Sequence, residues 1–165
     1  MVILEGPDLS GKSTVGKMLA GITKLEIHHS GGPPKGTEEA IARVYDTPQN
    51  KILDRHICIS EQIYGNMGRR NPKLTVSYMD LWLYKNQPLI LFCDPGLEFL
   101  LSQLHLLKEK PHKTQEHIEQ VRSTYKTIYH KYVHLMNKLK TLTRVMYIDF
   151  NSVTKEELKV MICAE

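Results

Sequence analysis

Little in this chain of 165 residues points to a membrane or to an oxidising compartment. No apolar run approaches the ~20 residues that a membrane-spanning helix needs, so no membrane partner is expected. Only three cysteines are present, Cys58, Cys93 and Cys163. Their odd number and wide separation provide neither a disulfide framework nor a zinc spacing, and they read as reduced thiols. Internal repeats and low-complexity tracts are absent. So is the Asn-Lys-x-Asp signature of guanine binding: the nearest string, Asn137-Lys138-Leu139-Lys140, lacks the aspartate. That counts against a switch or binding module that holds a nucleotide without turnover. No strong excess of one charge exists either, with 22 Lys and Arg against 18 Asp and Glu and a net charge of +4. This balance suits a phosphate-rich ligand and is too modest to argue for nucleic acid by itself. No leader is visible ahead of the first apolar run, so a cytoplasmic protein is expected.

What the chain does contain is concentrated at its start. Met1-Val2-Ile3-Leu4 reads as a short buried strand. Gly6-Pro7-Asp8-Leu9-Ser10-Gly11-Lys12-Ser13-Thr14 then fits Gly-x4-Gly-Lys-Ser/Thr, and Val15, Met18, Leu19 and Ile22 follow at helical spacing. Glycines let the loop curl so that backbone N–H groups converge, and the helix behind adds its positive end. The residues expected to hold ATP are therefore Gly6, Asp8, Leu9, Ser10, Gly11, Lys12, Ser13 and Thr14. Lys12 reaches the outer phosphates, and the Ser13 hydroxyl ligates Mg2+.

The remaining pattern alternates strands and helices over one domain, residues 1–165. Strands are expected at Leu25–His29, Lys51–Asp54, Leu89–Cys93 and Arg144–Phe150. Helices are expected from Thr37, acting as cap, to Tyr45, and over Ser60–Tyr64, Leu74–Tyr84, Gly96–Leu107 and Thr114 to about Lys140. A terminal helix opens with the capping box Thr154-Lys155-Glu156-Glu157. In the long helix Ile118, Val121, Tyr125, Ile128, Tyr132, Leu135 and Leu139 form one apolar stripe, to be packed on the domain or into a coiled coil. Such alternation implies an α/β fold with a parallel sheet covered on both faces and a ligand at the carboxyl ends of the strands. Asp8 and Asp54 fall on that rim.

Phosphoryl transfer needs charge neutralisation and alignment more than covalent help. The catalytic candidates are Lys12, Asp8, Asp54 and Arg55. Asp54 alone among the carboxylates ends an apolar strand and directly precedes an arginine, which suits a second Mg2+ ligand beside Ser13; otherwise it is a cap or a surface ion pair. Arg55 can clamp donor and acceptor phosphates. The acceptor-side candidates are Asp8, His29, Arg55, Tyr64, Arg69 and Arg70, although adjacent arginines in a loop are as often a solvated face. Tyr78 and Trp82 read as core or as a base shelf. His130 and His134 stand four apart on the long helix, with no third metal ligand in view.

Glu5 to Thr14 followed by Asp54-Arg55-His56 resembles the thymidylate kinase family, and in particular its small phage-encoded members. The runs His29–Pro34, Ser60–Gly65 and Lys110–His117 extend the likeness over most of the chain. The resemblance implies a three-layer P-loop kinase fold with a five-stranded parallel sheet in the order 2-3-1-4-5. It also implies Mg2+ with ATP as donor, a homodimer, and a lid at about 108–117. Asp8 would bind the acceptor sugar hydroxyl. Because Leu9 stands where an arginine can occupy the loop, the lid should supply one. This lid offers Lys108, Lys110, His112 and Lys113, so Arg122 swings in, lysine substitutes, or the acceptor differs. The implied activity is transfer of the ATP γ-phosphoryl to a deoxynucleoside monophosphate such as dTMP. The alternative is a hydroxyl acceptor, on a hydroxymethylated pyrimidine in DNA or on a polynucleotide. An anionic acceptor needs cationic clamps, whereas a neutral hydroxyl benefits from a carboxylate base.

Overall fold

The computed structural model describes residues 1–65, 67, 72–107 and 115–163. Five strands, β1 (Val2–Glu5), β2 (Ile27–His29), β3 (Ile52–Asp54), β4 (Leu89–Cys93) and β5 (Val145–Ile148), form one sheet in the order β2-β3-β1-β4-β5, with every pair parallel. The helices are α1 (Lys12–Thr23), α2 (Thr37–Tyr45), α3 (Ile57–Tyr64), α4 (Val76–Asn86), α5 (Leu97–Ser102), α6 (Gln115–Leu139) and α7 (Lys155–Cys163).

Period-two alternation along the buried strands sorts their side chains between two cores. Leu4, Ile52, Leu91 and Cys93 face Val15 and Leu19 of α1 and Leu158 of α7. Ile3, Leu53, Ile90 and Phe92 face the other way, onto α2, α3, α4 and α6. The α6 stripe lies against this second core through Ile128, Tyr132, Leu135 and Leu139, and Tyr125 is buried as well; it is a packing face and not a coiled-coil seam. Among the described residues no helix is long and apolar enough to cross a membrane.

Several boundaries differ from the sequence expectation. Gly36, in extended conformation, is the N-cap of α2, and Thr37 is the first helical residue. The helix expected from Ser60 begins at Ile57, because the His56 ring accepts from the Cys58 N–H and serves as its cap. The helix expected over 74–84 lies at Val76–Asn86, capped by the Thr75 hydroxyl. The stretch 96–107 is α5 followed by a separate 3-10 turn at Leu104–Leu106. There Ser102 Oγ turns back onto the Phe99 carbonyl and His105 Nδ1 onto Ser102 O, side-chain bonds that compete with helix continuation. The Thr154–Glu157 capping box forms in both directions, at 2.8 and 3.2 Å.

Candidate active site

The loop after β1 is shaped by close approaches that only glycine permits. Gly6 has φ 145°, and a Cβ there would sit 2.7 Å from the Cys93 carbonyl. Gly11 has φ 82°, and a Cβ would fall 2.1 Å from the Phe150 ring. Between them Leu9, a branched residue, also holds a left-handed φ of 69°. Gly11 is the N-cap of α1 and offers no side-chain cap. Among the described residues the N–H groups of Leu9, Gly11, Lys12 and Ser13 therefore meet no protein acceptor. These are the orphan donors that make a helix N-terminus and its nest receptive to an anion.

Two cations converge on this cup. The Lys12 ammonium donates to the carbonyls of Gly6 at 2.9 Å and Pro7 at 2.6 Å. Burial, then the neighbouring Arg55 charge, lowers its pKa from 10.5 to about 8. Arg55 Nη2 donates to the same Gly6 carbonyl at 3.1 Å and to the Asp8 carboxylate at 2.9 Å. The guanidinium lies 5.3 Å from the centre of the Tyr64 ring, and its buried Nε has no hydrogen-bond partner among the described residues. Arg55 has φ 67°, and its N–H extends the sheet to the Leu4 carbonyl at 2.9 Å.

The registers of the sheet place the acidic partner. Asp54 lies opposite Leu4 on β1 and opposite His29 on β2. Its carboxylate meets His29 Nδ1 at 2.8 Å. Lys12, Ser13, Lys17, His29 and Asp54 line one cavity of about 300 Å³. The Ser13 hydroxyl and the Asp54 carboxylate are hard oxygen donors, the type Mg2+ accepts, so this donor set fits that ion.

Behind the loop lies a buried polar cluster that sequence reasoning missed. Glu5 is fully buried, and its carboxylate accepts from the His56 N–H at 2.8 Å and the Tyr132 hydroxyl at 3.4 Å. Tyr125 donates its hydroxyl to the Asp8 carbonyl, and Tyr129 donates to the Asp94 carboxylate at 3.0 Å. The signal for this row was present as tyrosines spaced four and three apart, each with a polar tip to place in an otherwise apolar stripe.

The other candidates fall as follows. Tyr78 and Trp82 pack against the core, and Trp82 stacks on His56 at 3.9 Å, so neither offers a free base shelf. Arg122 donates to the carbonyls of Leu104 and Leu107, which makes it a brace for the 3-10 turn in this structure. His130 and His134 join no group of three metal-binding side chains among the described residues. Arg69, Arg70, Lys108, Lys110, His112 and Lys113 lie outside the described residues.

No family model matches the chain, and no curated protein matches it significantly. Solved structures do. YorR protein from Bacillus subtilis, in complex with phosphorylated GDP, aligns with a TM-score of 0.69 at 22% identity, over 98% of this chain and 92% of that one. Deoxyadenosine kinase from M. mycoides with bound dCTP aligns at 0.54 and 14% identity, over 98% of this chain and 97% of that one. The same enzyme with the products dCMP and a flexible dCDP aligns at 0.53 and 11%, over 98% and 95%. At these identities the likeness establishes a shared fold: this chain has the five-stranded α/β architecture of those nucleotide-binding proteins.

Proposed function

We propose that the chain is an ATP-dependent phosphotransferase acting on nucleotides, with a deoxynucleoside monophosphate as acceptor. One observation carries this reading. Four loop and helix amides without a protein acceptor among the described residues lie in the loop on whose Gly6 carbonyl Lys12 and Arg55 both converge, at the carboxyl edge of the sheet. A triphosphate offers oxygens to the amides and replaces the Gly6 and Pro7 carbonyls as acceptors for Lys12. Arg55, which bridges the Gly6 carbonyl and the Asp8 carboxylate, is in this reading the cation that clamps donor and acceptor phosphates, as an anionic acceptor needs. Ser13 and Asp54 are the residues that would hold Mg2+, which supplies neutralisation of the phosphate charge. Such chemistry consists of positioning and electrostatics, and this site contains both.

A hydroxyl acceptor, on a modified pyrimidine in DNA or on a polynucleotide, is the second reading. It is favoured by two carboxylates, Asp54 at the end of β3 and Asp8 in the loop after β1, and by a structural neighbour whose name, deoxyadenosine kinase, specifies a nucleoside, an acceptor with a hydroxyl. Labelled ATP offered with dTMP, with other nucleoside monophosphates and with hydroxymethylated DNA separates the two. Transfer to a free monophosphate and none to DNA is expected; the reverse result replaces the first reading with the second. Lys12→Ala should abolish transfer and leave a folded protein. Loss of folded protein in that variant would make the loop structural, and absence of Mg·ATP binding by the wild type would end both readings.

A further inference from the structure

The peptide between Asp8 and Leu9 is held from outside the loop. Its carbonyl accepts the Tyr125 hydroxyl, a contact that spans 117 residues of sequence. A trans peptide is planar, with its N–H directed opposite to its C=O. Fixing the Asp8 carbonyl on α6 therefore aims the Leu9 N–H away from α6, and that N–H has no protein acceptor among the described residues. Leu9 meanwhile holds φ 69°, where any residue with a Cβ is strained. The strain of one left-handed residue and the net strength of one hydrogen bond are of similar size, so a single hydroxyl is enough to tip the balance. Tyr125 is only 1% exposed, and burial raises its pKa, so the hydroxyl keeps its proton and remains a donor.

We propose that Tyr125 is a positioning residue for nucleotide binding: through the Asp8 carbonyl it presents the Leu9 amide to a phosphate oxygen. This rests on the phosphate-cup reading above. It also makes α6, remote in sequence, a determinant of affinity for the triphosphate tail.

Tyr125→Phe removes the hydroxyl and keeps the ring. If the loop then spends only part of its time with the Leu9 amide correctly aimed, apparent affinity falls in proportion. We expect the Kd for Mg·ATP and for inorganic tripolyphosphate to rise about 5- to 10-fold, with that for adenosine unchanged. In wild-type protein the Leu9 amide resonance should shift on adding tripolyphosphate, and in the variant that shift should shrink. A variant that binds tripolyphosphate as the wild type does, or that loses adenosine and tripolyphosphate equally, overturns the proposal. Wild-type protein that binds neither ATP nor tripolyphosphate fails at the function, a different result from wild-type binding that is indifferent to Tyr125.

Discussion

Glu5 offers the sharpest test of how this site is built. It is 0% exposed, and burial raises its pKa from 4.5 to about 7, against the opposing pull of the His56 N–H and the charges of Arg55 and Lys12. A group whose native pKa exceeds its unfolded value binds its proton more tightly in the folded state. Its stabilising contribution is complete below pH 4.5 and is lost as pH rises to about 7. At roughly 1.4 kcal/mol per pH unit, that interval is worth about 3 kcal/mol. Glu5→Gln keeps an acceptor for the His56 N–H and, like the protonated carboxyl, presents a donor to Tyr132 in place of the carboxylate acceptor, so it mimics the protonated side chain at every pH. The variant should match the wild type near pH 4.5 and exceed it by about 3 kcal/mol at pH 8. For a chain of this length that corresponds to a Tm about 6–12 °C higher at pH 8. Thermal and urea unfolding followed by circular dichroism from pH 4.5 to 8 measures the difference curve, in which titrating groups that do not interact with Glu5 cancel. Parallel curves, or a variant less stable at pH 8, would show that Arg55 and Lys12 outweigh desolvation, and the reasoning would fail.

Two further outcomes follow from the site. Asp54→Asn should lower the Mg2+-dependent rate of transfer far more than ATP affinity, and an unchanged rate would assign the ion to another residue. Gly11→Ala should destabilise the fold by about 3 kcal/mol, because it adds left-handed strain to a clash with Phe150. Pairing it with Phe150→Ala should recover part of that loss in denaturant titrations; no recovery would mean that the backbone strain dominates.

The parts legible in the sequence were those encoded locally. The strand, glycine-bearing turn and helix expected around Lys12 are β1, the loop 6–11 and α1, and the β4 run Leu89–Cys93 matches the structure residue for residue. Strands alternating with helices implied the parallel sheet, and the family resemblance supplied its order. Contacts made at long range were not legible. Glu5 read as the last residue before the loop, and nothing near it announces Tyr132 or His56 as partners. The Asp54–His29 contact depends on the register of β2 against β3, which sets the two opposite each other. His56 as a helix cap was missed because a neutral ring nitrogen rarely fills that role, and the interruption after α5 because Ser102 and His105 redirect local hydrogen bonds.

The stack of Trp82 on His56 has a practical consequence. Trp82 is the sole tryptophan in the chain, and it touches the residue that follows Arg55. Burial depresses the His56 pKa to about 3, so the imidazole stays uncharged from mildly acidic to alkaline pH. The indole is thus a built-in optical reporter on the turn that carries Arg55, one whose emission titration of the stacked His56 will not confuse. A ligand that shifts the turn at His56 can be followed by fluorescence without a label.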